Sequence, residues 1–253
     1  MIHKTIYILL LTSLIGMSSV YAQEKVTIKK GPFVENDTTF LLKKYYSDFT
    51  QSVSIEKNRK SRPYKRLLNF TLTESDINQY KDLIKVYTEK KSTLHKKHEL
   101  YNLPGNWVPL YSYQGKYYLY CPCEGGFNGR RQINDSTLIC NYIYGPYPFI
   151  INSTEQLSPT AYLIKTAESY SNGDLIRKPK DLYIYIIDPV NEIAVWQYTT
   201  NAGKPSYTLY VSEKKARNFD MVVWDCSYEK EFDEFEFDQI DFEKLIEQCK
   251  NKQ

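Results

Sequence analysis

Thiols and imidazoles are the side chains here best suited to covalent or coordination chemistry, and both are scarce. The cysteines are Cys121, Cys123, Cys140, Cys226 and Cys249, and beyond His3 the only histidines are His95 and His98. Phe242, Leu245, Ile246 and Cys249 recur at i, i+3, i+4, i+7, which places Cys249 on the apolar stripe of a helix. Cys226 closes an extended run. A disulfide between Cys226 and Cys249 would shut a loop of about twenty residues and stabilise the chain by about 3 kcal/mol, with two buried free thiols as the alternative. Cys121 and Cys123 are two residues apart on an extended chain and point to the same side, so Cys140 can bridge only one of them.

A metal site would draw on the same residues. His95 and His98 share a helix face at i, i+3, and Cys121 and Cys123 could add sulfur. Structural zinc pairs are usually spaced more widely, and the two halves lie far apart in the sequence, so neither metal nor cofactor is expected. Any Ser-His-Asp or Cys-His arrangement would also depend on His95 or His98. No G-x-S-x-G and no glycine-rich phosphate loop occurs, so no catalytic residue is assigned. Arg130-Arg131 could recognise an anion, or could sit on an exposed turn after Gly125-Gly126. The acidic run from Glu229 to Asp241 carries Phe232, Phe235 and Phe237 and lacks the ligand spacing of a calcium loop, so it reads as a solvated edge with its rings turned inward.

The elements that must position these residues fall into two regions after a leader. Lys4, the apolar stretch from Ile6 to about Met17, and Ser18-Ser19-Val20-Tyr21-Ala22 have the three-part form of a signal peptide over 1–22, too short to span a bilayer. No Cys near the cut marks a lipid anchor. An exported protein, periplasmic or extracellular, is expected, without a membrane span. Residues 23–102 read as helix-rich. Leu42, Tyr45, Tyr46 and Phe49 have helical spacing, with Asp37, Thr38 or Thr39 as a cap. Thr73-Glu-Ser-Asp76 caps a second helix whose stripe is Ile77, Tyr80, Ile84 and Tyr87.

Residues 103–253 read as a β-rich domain that ends in a helix. After Asn102-Leu-Pro-Gly105, nine short extended runs separated by turns argue for an antiparallel meander. Leu182-Tyr-Ile-Tyr-Ile186 sends its aliphatics one way and Tyr183 and Tyr185 the other, so both faces need cover. The fold class expected is α+β: an antiparallel meander, either open or closed into a barrel of 8–10 strands, with a helical N-terminal segment and a C-terminal helix.

With 33 Lys+Arg against 30 Asp+Glu, the chain carries no electrostatic footprint for nucleic acid. Its 24 tyrosines suit half-buried strands, whose surface accepts a flat ring with a wet hydroxyl. Trp107, Tyr183, Tyr185 and Trp196 are the candidate ligand-binding residues.

Gly105-Asn-Trp107, at the head of the strand series, resembles the G-x-W start of lipocalin-like (calycin) barrels. That resemblance implies an eight-stranded cup over Gly105 to Cys249 holding a small apolar ligand, with Trp107 at the closed end. The Lys-, Asn- and Tyr-rich composition and the Ala22-Gln23 junction resemble exported proteins of Bacteroidetes. The function expected is a non-enzymatic exported binding protein for a small apolar molecule or a glycan. A protein-interaction module, as inhibitor or accessory subunit of the bacterial envelope, comes second. An envelope hydrolase with two converging carboxylates comes third.

Overall fold

The computed structural model describes residues 26–91, 96–122, 129–142, 145–167, 169–171, 174–177, 181–199, 203–225 and 235–251. The described chain opens with three antiparallel strands, β1 (Thr27–Glu35), β2 (Thr38–Tyr45) and β3 (Thr50–Glu56), where a helix over Leu42 to Phe49 was expected. The correction has two physical causes. A bulge between Phe40 and Leu42 breaks the two-residue alternation of β2, so adjacent Leu41 and Leu42 are both buried. Tyr46 and Phe49, the last two members of the helical spacing, lie at the β2–β3 turn, where their rings stack at 4.2 Å and the Tyr46 N–H donates to the Phe49 carbonyl. Asp37, one of the residues expected to cap that helix, instead takes a left-handed φ of 61°, beside Asn36 at 48°, in the β1–β2 hairpin.

Helix α1 (Arg62–Leu67) follows, with Pro63 in its first turn, where a missing N–H does no harm. Helix α2 (Glu74–Lys91) carries the reciprocal cap that the sequence predicts. The Asp76 N–H donates to Thr73 Oγ1 at 3.1 Å, and the Thr73 N–H donates to Asp76 Oδ2 at 3.0 Å.

Beyond Gly105 come β4 (Asn106–Pro109), β5 (Tyr111–Tyr113), β6 (Lys116–Cys121), β7 (Arg131–Ile133), β8 (Thr137–Tyr142), β9 (Gly145–Ser158) and β10 (Ala161–Thr166). They are followed by β11 (Ser169–Ser171), β12 (Asp174–Arg177), β13 (Asp181–Asp188), β14 (Ile193–Thr199), β15 (Pro205–Ser212), helix α3 (Glu213–Ala216), β16 (Met221–Trp224) and helix α4 (Phe242–Lys250). Eight of these strands close into a barrel in the order β10-β13-β14-β15-β4-β7-β8-β9, every neighbour antiparallel. Apart from the β5–β6 and β11–β12 hairpins, the chain visits them in sequence, so the barrel is an up-and-down meander.

The nine expected runs do not form one sheet. The first, Trp107 to Tyr113, splits into β4 in the barrel and β5 outside it, and β5, β6 and β16 join the N-terminal strands in an open sheet ordered β1-β2-β3-β16-β6-β5. β16 lies between β3, antiparallel to it, and β6, parallel to it.

Alternation along the barrel strands separates two cores. Inside are Trp107, Ile133, Leu138, Phe149, Ile151, Ile164, Leu182, Ile184 and Trp196. Outside, Val108, Leu110, Tyr185, Val195, Leu209 and Val211 pack against Tyr64 and Leu67 of α1, Leu119 of β6, Met221 of β16 and Ile246 of α4. The expected α4 stripe holds, with Asp241 as its cap, its Oδ1 accepting from the Lys244 N–H at 3.0 Å. Phe235 and Phe237, from the acidic run, turn inward on the far face of the open sheet against Tyr111, Tyr113 and Tyr120. No helix among the described residues is long and apolar enough to cross a membrane.

Candidate ligand-binding site

Cross-strand registers fix which residues point into the barrel, because directly paired residues share a face. Trp107 pairs with Arg131, Arg131 with Cys140, and Cys140 with Tyr147. On the other side Leu182 pairs with Tyr198, Ile184 with Trp196, and Ala194 with Tyr210. These two inward rows converge where β8 ends and β9 begins, where β10 ends and β13 begins, and where β14 ends and β15 begins.

A cavity lies at that end, partly open, with about 80 Å³ available to water centres. One water needs about 10–15 Å³ on that measure, so the space suits several waters or a small molecule. Its described walls are Leu138, Phe149, Leu182 and Trp196, with Tyr142, Tyr198, Tyr210, Thr166 and Cys140 supplying polar atoms and Arg131 the one charge among them. The opposite end is shut. Leu100, Tyr101 and Leu103 pack into the inner core, and the Trp107 Nε1–H donates to the Pro104 carbonyl at 2.6 Å. The Trp107 and Trp196 rings meet edge to face at 5.7 Å, so the fully buried Trp107 forms part of the core against which Trp196 packs.

Arg130 and Arg131 have opposite surroundings. The Arg130 Nη1 donates to the Arg66, Leu67 and Asn69 carbonyls at the end of α1, a fitting place for a cation, where burial lowers its pKa. Arg131 faces the cavity, with its guanidinium 5.5 Å from the ring centre of Tyr142 and 5.9 Å from that of Tyr210. Its Nη1 donates to the Arg130 carbonyl at 3.0 Å. Burial pushes the Tyr210 hydroxyl pKa well up, against the pull of Arg131 in the other direction. The hydroxyl thus stays protonated and donates to the Gly129 carbonyl at 3.0 Å.

Of the four aromatic candidates, the structure brings Trp196 to the cavity wall and Trp107 into the core beside it. Tyr183 and Tyr185 occupy the other face of β13, stacked on each other at 6.3 Å, with Tyr185 under α4 and 5.5 Å from Lys250 Nζ. Leu182 faces the cavity instead. Tyr142, Tyr198 and Tyr210 were not singled out from sequence, although phase with Trp196 along β14 would have marked Tyr198.

The disulfide expectation is corrected at one end. Cys249 is a free thiol on the buried side of α4, donating to the Ile186 carbonyl at 3.2 Å and lying 3.4 Å from Thr160 Oγ1, while Cys226 lies outside the described residues. Cys121 packs on the outer core and Cys140 on the inner one, so the barrel wall stands between them. Of the alternative metal ligands, His95 and Cys123 lie outside the described residues. His98 lies in a non-helical segment, with its N–H on the Asp135 carbonyl. No three His, Cys, Asp or Glu side chains come together among the described residues. No protein-family model matches the sequence, and no curated protein matches it.

Proposed function

We propose that this chain is an exported, non-enzymatic binding protein that holds a small, largely apolar molecule in the mouth of its barrel. The observation that carries the reading is the cavity itself, an inward-facing recess with aliphatic and aromatic walls and a few convergent polar groups, closed beneath by Trp107. The resemblance to lipocalin-like barrels supports it. The strands form an up-and-down closed barrel of eight, and Trp107 of the Gly105-Asn-Trp107 motif sits near the shut end. A small apolar body suits these walls better than a glycan, whose hydroxyls would need more partners than the lining offers. The signal-like residues 1–22 support export.

The test is a thermal-shift and native-mass screen of the mature chain against small lipids, aromatic acids and oligosaccharides. A ligand of the first two kinds should raise the melting temperature and appear as a one-to-one adduct. A screen with no adduct and no shift would count against the reading. A protein-interaction module is the second reading, carried by β1. Among the described residues that strand ends its sheet, with Ile28 and Val34 exposed, an edge able to add a partner strand. Lys29, Lys30 and Pro32 on the same strand are residues that blunt such edges, which weighs for the cavity.

A further inference from the structure

We propose that the barrel cavity selects a molecule with a single negative charge, the carboxylate of a small apolar or aromatic acid, which Arg131 receives. The inference rests on the reading of the barrel as a ligand site and adds the chemical class of the ligand.

The register leaves Arg131 no choice of side. Trp107 and Cys140, its partners on the two neighbouring strands, both belong to the inner core, so a residue at position 131 must point inward. A guanidinium carries five N–H donors, and among the described residues Arg131 spends one of them, on the Arg130 carbonyl. The rings of Tyr142 and Tyr210 accommodate its charge but offer little to its remaining donors. No Asp or Glu is among the described residues that line the cavity.

Trp196, on the same wall, buries its indole N–H with no acceptor among the described residues. The cavity is therefore rich in donors and poor in anionic acceptors. Removing a cation from water without a counter-charge is unfavourable, and a planar carboxylate, taken up by two parallel N–H groups, offsets that cost. A single guanidinium matches one negative charge. The apolar walls of Leu138, Phe149 and Leu182 remain for the rest of the ligand.

The experiment pairs acids with neutral isosteres. Octanoate and 3-phenylpropanoate are titrated into the mature protein beside their primary amides, with calorimetry and tryptophan fluorescence as readouts. The expected result is at least tenfold tighter binding of each acid than of its amide. In the Arg131→Gln variant the acid should bind no better than the amide, and in Arg131→Lys, which keeps the charge and loses the planar fork, it should fall between. Equal affinity of acid and amide for the unaltered protein overturns the charge inference and leaves the barrel reading standing. Failure of all four compounds to bind at millimolar concentration overturns both. If Arg131→Gln does not fold by circular dichroism, the acid-to-amide ratio of the unaltered protein decides alone.

Discussion

Two adjacent arginines show how little of a side chain's role lies in its own chemistry. Arg130 caps the carbonyls at the end of α1, while Arg131, one pleat further on, faces the barrel cavity. The sequence leaves the pair open between anion recognition and an exposed turn, because β7 is only three residues long and has no alternation of its own to reveal a phase. Tyrosines behave in the same way. The Tyr64 ring is fully buried, its hydroxyl donates to the Phe219 carbonyl at 2.6 Å, and burial pushes its pKa from 10.0 up to about 12. Burial also raises the pKa of Tyr210, Tyr111 and Tyr185. Each such hydroxyl binds its proton more tightly in the folded chain than in the unfolded one. Their contribution to stability is whole below pH 10 and declines as pH rises from there through about 12. Urea midpoints measured from pH 8 to 11.5 should hold level and then fall, with tyrosinate absorbance rising at the unfolding transition. A midpoint unchanged at pH 11.5 would contradict the burial of these hydroxyls.

At the scale of elements, one glycine of β9 lies directly against α2. Gly145 opens β9 with φ of +106°, and a Cβ there would come 2.6 Å from Gln79 Oε1 on α2. The glutamine can move aside, but the backbone conformation penalises any side chain. Gly145→Ala should therefore cost about 1–3 kcal/mol, read as a lower urea midpoint. Replacing the exposed Gly203, whose Cβ would meet nothing within 4 Å but whose φ is also positive at +76°, separates backbone strain from contact with the helix. The two capped helices and most strands after Gly105 were legible in the sequence because their patterns are unbroken. β2 was not, since its bulge disrupts alternation while Leu42, Tyr45, Tyr46 and Phe49 mimic a helical stripe across a strand and its turn. The site was half legible. Trp196 lines the cavity, but Tyr183 and Tyr185 were preferred over Leu182 because tyrosines suggest binding, whereas the sequence does not say which face of β13 turns inward.

Over the whole molecule, the barrel and the open sheet share one apolar seam, in which Leu119 and Met221 meet Val108, Leu209 and Val211. Trp107 is central to the inner core on the other side of β4, a strand that closes the barrel with only two paired residues against β7 and three against β15. Trp107→Ala should lower stability by about 3–5 kcal/mol in urea unfolding, an effect too large for a tryptophan that merely decorates a surface. The order of strands in the open sheet carries a consequence of another kind. β3 ends at Glu56, and the neighbour that completes its outer side, β16, begins only at Met221. At about 5–20 residues per second, a growing chain leaves that edge bare for on the order of ten seconds or more. During that interval the amino-terminal hairpins must be sheltered from strands of other nascent chains, a burden that passes to whatever escorts them until the last extended segment slots into place.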